Sequence, residues 1–139
     1  MKSKKKSSSS VRAVQLNLVF SEEEKMRFLN KQFRGEEGTT DVLAFPAQLK
    51  IDDNLWLLGE IVVNLEQAAK QARQYQVSLS EEVVRLFVHG LLHLLGYSDT
   101  KPAERQKMHH LQEKIIQELQ ELQLLKANSL QKSPPEIEK

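Results

Sequence analysis

His89 and His93 stand four residues apart, in a segment that reads as a buried helix followed by a turn. On a helix that spacing puts both imidazoles on one face. Gly96 then ends the helix and turns the chain, so that Asp99, six residues past His93, can swing back beside them. Two imidazoles and a carboxylate are three ligands that suit Zn²⁺, leaving its fourth position open to water. That open position marks a catalytic ion rather than a structural one. A lone histidine on a buried helix is usually a hydrogen-bonded core residue. A second one at i+4, with a carboxylate after the turn, shifts the reading to metal.

The helix around the pair sharpens this. From Val83 to Leu95 it carries Val83, Val84, Leu86, Phe87, Val88, Leu91, Leu92, Leu94 and Leu95, apolar on almost every side. Such a helix belongs in the core of its domain. Its one polar stripe is Arg85, His89 and His93, at i, i+4 and i+8. Gly90 costs roughly 1 kcal/mol relative to alanine in a helix interior, which implies that something approaches closely on its side.

The elements that must hold this helix follow from 139 residues, enough for one domain with a core. There is no cysteine, which excludes disulfides and thiolate metal sites. No apolar run has the length of a membrane span or a signal-peptide core, so a soluble, unsecreted protein without a membrane partner is expected. The net charge is +1, but Lys2, Lys4, Lys5 and Lys6 supply a surplus that leaves the rest of the chain slightly acidic. Bulk attraction to nucleic acid is therefore not the basis of function. Residues 1–10 read as a disordered basic leader, able at most to add salt-sensitive affinity for RNA.

Val11 to Phe20 alternates as a strand. Ser21 is expected to open a helix through a capping box with Glu24, with Met26, Leu29 and Phe33 as its apolar stripe and Asn30 on the same face. Residues 35–38 form a loop. Thr40 to Phe45 is a strand stopped by Pro46, and Trp56 to Val63 is another, separated from it by the polar loop Lys50 to Asn54. Asn64 caps a helix lined on one side by Leu65, Ala68, Ala69, Ala72 and Tyr75. Ser78 or Ser80 caps the histidine helix. Pro102 starts a last helix with Met108, Leu111, Ile115, Leu119 and Leu122 as its buried stripe. Residues 126–139 read as a flexible tail. The order gives an α+β domain over residues 11–125, a small mixed sheet of about three or four strands packed with helices and the metal-binding helix at its centre.

The motifs resemble a known family. His89-Gly90-x-Leu92-His93-Leu94-x-Gly96-Tyr97 is similar to the H-G-x-L-H-L-x-G-Y-D-H signature of the YbeY endoribonucleases. Leu29-Asn30-x-x-Phe33-Arg34-Gly35, Thr40 to Pro46 (TDVLAFP) and Leu58-Gly59-Glu60-Ile61 resemble three further motifs of that family, in the same order. The resemblance runs from about Val11 to Leu122. It implies a zinc-dependent, single-strand-specific endoribonuclease of ribosomal RNA maturation and ribosome quality control. A cytoplasmic location and partners among ribosomal proteins or a small GTPase go with it. By motif position His89 and His93 are zinc ligands and Arg34 is the functional arginine. The chain departs where the family has Asp-His after the tyrosine: here stand Ser98 and Asp99, making the third ligand an aspartate. His109 or His110 is a substitute ligand only if the last helix folds back; exposure is the expectation for both. Family members also carry a further strand and helix ahead of the first strand, where this sequence has the Lys/Ser leader.

The mechanism expected is phosphodiester cleavage. Zinc peptidases of the H-E-x-x-H type place a glutamate after the first histidine, and Gly90 stands there instead. A guanidinium suits the transition-state phosphoryl oxygens, since its planar fork binds two at once; Arg34 is the candidate. Arg27, Lys31 and Arg34, at i, i+4 and i+7, make a basic face, although bases at a helix end also follow from the macrodipole. Asp41 and Glu60 could orient a ligand histidine, assist proton transfer or hold loops together. A ribosome-associated factor with a structural metal and a different metallohydrolase, such as a peptidase, are the alternative readings.

Overall fold

In the computed structural model, residues 13–122 are described; the leader and the tail expected from the sequence lie outside them. The element order is β1 (Ala13–Ser21), α1 (Glu23–Arg34), β2 (Val42–Asp52), β3 (Leu55–Asn64), α2 (Leu65–Tyr75), α3 (Leu79–Leu94) and α4 (Pro102–Glu121). The fold is α+β, with one mixed three-stranded sheet in the order β1-β3-β2. β1 runs parallel to β3, and β2 pairs with β3 as an antiparallel hairpin.

β3 is the middle strand, and its alternation assigns the two faces of the sheet. Ile61 and Val63 join Val42 in a cluster with Leu86 and Leu94 of α3. Val62, between them, joins Leu43 and Met26 of α1 on the opposite face. The far side of α3 packs through Val88 and Leu92 onto Met108 and Ile116 of α4. Enclosed between sheet and α4, α3 is apolar nearly all round because nearly all of it is covered. Gly90 has the close neighbour that its position implied. A Cβ there would stand 3.0 Å from Ile61 Cγ2 and 3.2 Å from both Cδ1 and Cγ1.

Several local expectations need correction. β1 continues to Ser21, paired with Asn64, so Ser21 does not cap α1. The N-cap is Glu22, without a side-chain cap, and the Glu23 amide donates instead to Glu66 Oε1 at 2.8 Å. A tertiary partner supplies what the capping box was expected to give. β2 is not stopped at Pro46 but runs on to Asp52, leaving only residues 53–54 as the hairpin turn. Proline is tolerated there because β2 is an edge strand whose register shifts between Pro46 and Leu49.

The caps of the later helices are as expected. Asn64 accepts from the Gln67 amide at 3.1 Å, and of the two candidate serines it is Ser78 that caps α3, from the Glu81 amide at 3.0 Å. Not every expected stripe is buried. Phe33, Leu65, Tyr75 and Leu122 are exposed, and in α4 the fully covered line is Met108, Gln112 and Ile116.

Candidate metal centre

The C-terminus of α3 builds the site. The Gly96 amide donates to His93 O and the Tyr97 amide to Leu92 O, both at 3.0 Å, the paired bonds of a Schellman turn. Gly96 has φ +103°, a left-handed conformation that a side chain would strain. This reversal brings Asp99 back over the last two turns of α3. Asp99 Oδ2 lies 3.7 Å from His89 Nε2 and 3.4 Å from His93 Nε2. The imidazoles stand edge to face, with centroids 4.8 Å apart.

The remaining ring nitrogens are held by acceptors. His89 Nδ1 donates to Gln112 Oε1 at 2.8 Å, and His93 Nδ1 to the Tyr97 carbonyl at 3.2 Å. An amide oxygen and a carbonyl can only accept, so each Nδ1 carries a proton and Nε2 is the nitrogen of each ring left to face Asp99. A neutral ring held this way binds a metal through Nε2. Ligand atoms on a tetrahedral ion with bonds of about 2.0–2.1 Å stand roughly 3.3–3.5 Å apart. His89, His93 and Asp99 offer one atom each within 4.8 Å of one another, half-buried. The donor set and spacing fit a divalent cation, with two nitrogens and an oxygen suited to zinc.

Gln112 was not anticipated. It is 6% exposed on α4, four residues from Met108 and four from Ile116, hence in the middle of the buried line. A glutamine at such a position demands partners, and that was the available signal. Its Nε2 donates to Glu113 Oε2 at 3.1 Å, which in turn accepts from Arg85 Nε at 2.9 Å. The hydrogen bond from Arg85 holds the Glu113 carboxyl below the ordinary glutamate range, and the same bond raises Arg85. Arg85, in the polar stripe of α3, thus serves as a clamp between α3 and α4. Glu82 is buried at 3% exposure, and burial pushes its carboxyl up despite Arg85 Nη1 at 3.6 Å.

Two cavities meet at the cluster, sharing Asp41, His89 and Asp99 in their linings. One, of about 650 Å³, extends along α4 past Arg105 and His109. The other, of about 570 Å³, is lined by Phe33, Arg34, Thr40 and Pro46 along with His93. The end of α1 therefore delivers Arg34 to the cavity that holds the cluster. Arg34 is half-exposed and pairs with Glu36 at 3.6 Å.

Lys31 pairs with Glu37 at 2.9 Å and Arg27 with Glu23 at 3.4 Å, so all three cations of the basic face have carboxylate neighbours. Asp41 Oδ2 accepts from Gln71 Nε2 at 3.2 Å, tying the entrance of β2 to α2. Glu60 is not part of the site: it lines a separate cavity with Val19, Lys25 and Leu29, on the α1 face of the sheet. His109 and His110 are exposed on α4, and neither belongs to the cluster.

A small α+β domain with a His/His/Asp cluster that could hold a metal ion, at the end of its enclosed helix, is the class that this fold and site define. A family profile described as endoribonuclease YbeY matches residues 1–120, and the chain belongs to that family. An endoribonuclease YbeY of Sulfurihydrogenibium sp. is 40% identical over 107 residues, covering 76% of this chain and 70% of that protein. One of Phytoplasma australiense is 43% identical over 107 residues, covering 76% and 74%. Among solved structures, the solution structure of TM1509 from Thermotoga maritima is similar, with a TM-score of 0.58 and 29% identity over 88% of this chain and 78% of that one. Among the described residues no helix is long and apolar enough to cross a membrane.

Proposed function

We propose that the protein is a zinc-dependent endoribonuclease that cuts single-stranded RNA, in the cytoplasm, during maturation and quality control of ribosomal RNA. The observation that carries this reading is one cavity lined both by Arg34 and by His89, His93 and Asp99. A guanidinium beside a set of metal ligands matches a phosphodiester, whose charge grows on the phosphoryl oxygens as the bond is attacked. The names of the related proteins point the same way.

His89, His93 and Asp99 would hold the ion, and Gln112 and the Tyr97 carbonyl would keep the two rings aimed at it. When bound, the ion supplies Lewis acidity and activation of a water. Arg34 binds the phosphate, offsets charge on its non-bridging oxygens and orients the scissile bond. Its half-exposed position leaves it free to exchange Glu36 for phosphate as the substrate enters. Gly90, where a zinc peptidase of the H-E-x-x-H type has its glutamate base, disfavours peptide hydrolysis. Ribosomal proteins or a small GTPase would bring the enzyme to its RNA.

The test is cleavage of labelled single-stranded RNA by the purified chain, with and without chelator, beside Arg34→Ala. Chelator-sensitive cutting that Arg34→Ala loses supports the reading. RNA binding without cutting indicates a ribosome-associated factor, and protein cleavage that persists in Arg34→Ala indicates another metallohydrolase.

A further inference from the structure

Phe33 was expected on the buried stripe of α1, yet it is 62% exposed. Single exposed apolar side chains are ordinary on protein surfaces, so the position of this one is what matters. It lines the cavity that also holds Arg34 and the His89/His93/Asp99 cluster. Its ring meets Phe45 edge to face, with centroids 5.2 Å apart and planes at 71°. Phe45 pairs with Glu60 in the sheet, so the contact anchors the Phe33 ring to a rigid element while most of the ring stays open.

The contents of this cavity correspond to the parts of a nucleotide. A guanidinium and a metal centre suit the phosphate, and an aromatic face suits the base. The volume of about 570 Å³ falls within the roughly 300–1,000 Å³ usual for ligand pockets.

We propose that Phe33 is a base-stacking platform: the base adjoining the scissile phosphate stacks on its ring while Arg34, the next residue, takes the phosphate. This rests on the endoribonuclease reading and deepens it. Every base has a π-face, so a lone stacking ring tolerates any sequence. A base inside a duplex is already stacked and paired, and leaving that duplex carries a cost. The preference for single strands then has a source in one side chain of this cavity.

Phe28 provides an internal control. It lies on the same helix and is equally exposed at 62%, but it lines a separate cavity that contains none of the cluster residues.

The experiment measures binding of the full chain as purified, at low temperature and with gels confirming that the RNA stays intact, by anisotropy of a labelled single-stranded oligoribonucleotide. An abasic ribose-phosphate oligomer of equal length and charge runs alongside. Phe33→Ala should weaken binding of the base-bearing oligomer roughly 5- to 160-fold, the range of one lost stacking contact. Binding of the abasic oligomer should not change, Phe33→Trp should restore affinity, and Phe28→Ala should match wild type. The platform is overturned if Phe33→Ala binds as tightly as wild type, if both oligomers weaken together, or if Phe28→Ala loses as much. Wild-type protein that binds no single-stranded RNA at all would overturn the endoribonuclease reading, and the platform with it. Tight binding that survives Phe33→Ala would remove the platform alone.

Discussion

Gln112 Oε1 lies 2.8 Å from His89 Nδ1, a hydrogen bond between α4 and α3 that sets which nitrogen of His89 faces Asp99. The amide is held in that orientation because its Nε2 donates to Glu113, a carboxylate that can only accept. Glu113 is in turn held by two bonds from Arg85, at 2.9 and 3.0 Å. The tautomer of one ring is thus determined by a chain of partners that ends at Arg85, about one turn away on the same helix.

Removing that orienting bond should weaken the centre without dismantling it. Gln112→Ala is expected to lower zinc affinity about 10- to 100-fold, the usual effect of losing an orienting partner of a ligand histidine. Gln112→Glu keeps an acceptor for His89 but loses the donor to Glu113 and sets a second carboxylate against it, so it should recover only part of the affinity. Competitive titration with a chromogenic chelator measures both; equal affinity in Gln112→Ala and wild type would show that the bond plays no part.

Asp99 closes the donor set from outside α3. Asp99→Ala leaves two imidazoles and should reduce zinc from about one per chain to a trace after dialysis, as read by elemental analysis. Asp99→His restores a third ligand and should restore stoichiometric zinc. Stoichiometric metal in Asp99→Ala would mean that the ion is held by other residues.

In the proposed function Arg34 contributes charge and not coordination. Arg34→Ala is expected to leave zinc content unchanged and to cut RNA cleavage at least about tenfold, the loss of a charge-assisted phosphate contact worth roughly 1.4 kcal/mol or more. Lysine keeps the charge but loses the planar fork, so Arg34→Lys should recover only part. Unchanged cleavage in Arg34→Ala rules out the phosphate role.

Gly90 and Ile61 test the packing of α3 on the sheet. Gly90→Val drives a branched side chain into the fully buried Ile61 and should destabilise the fold by about 1–3 kcal/mol. Ile61→Ala in the same chain opens room and should recover part of that loss. Urea unfolding of the two single variants and the double variant gives the coupling, and strictly additive effects would deny the contact.

Glu113 and Glu82 should give opposite pH dependences of stability. Glu113 is held low by Arg85, so the folded state favours its ionised form. That stability is present above the ordinary glutamate range and is lost as the pH falls through the lowered folded value. The Tm deficit of Glu113→Gln should therefore be largest near neutral pH and close in acid. Glu82 is pushed up by burial, so its contribution is present in acid and lost as the pH rises through the raised folded value. Glu82→Gln should accordingly gain on wild type between acid and neutral pH. Thermal melts over a pH series decide, and parallel curves for both variants would contradict the assignment.

Much of this was legible in the residues themselves. The spacing of His89 and His93, the glycine that ends α3 and the aspartate beyond it are local, and local geometry alone brings the three together. The order of helices and strands was readable from periodicity, and the cap at Asn64 from its residue type, whereas Ser78 and Ser80 were both open for α3 until the structure chose Ser78. Pro46 misled because a residue's tolerance in a strand depends on whether that strand lies at an edge, which is a property of the sheet. Ser21 misled because its strand found a ladder partner in Asn64. Which apolar residues of α1 stay exposed, and that Arg34 shares a cavity with the histidines, required the packing of α1 against β2. Gln112 is the clearest division. Its sequence position gives the helix face, but its partner lies twenty-three residues away on another helix. Backbone turns carry short-range chemistry, whereas contacts across elements exist only once their burial has brought the faces together.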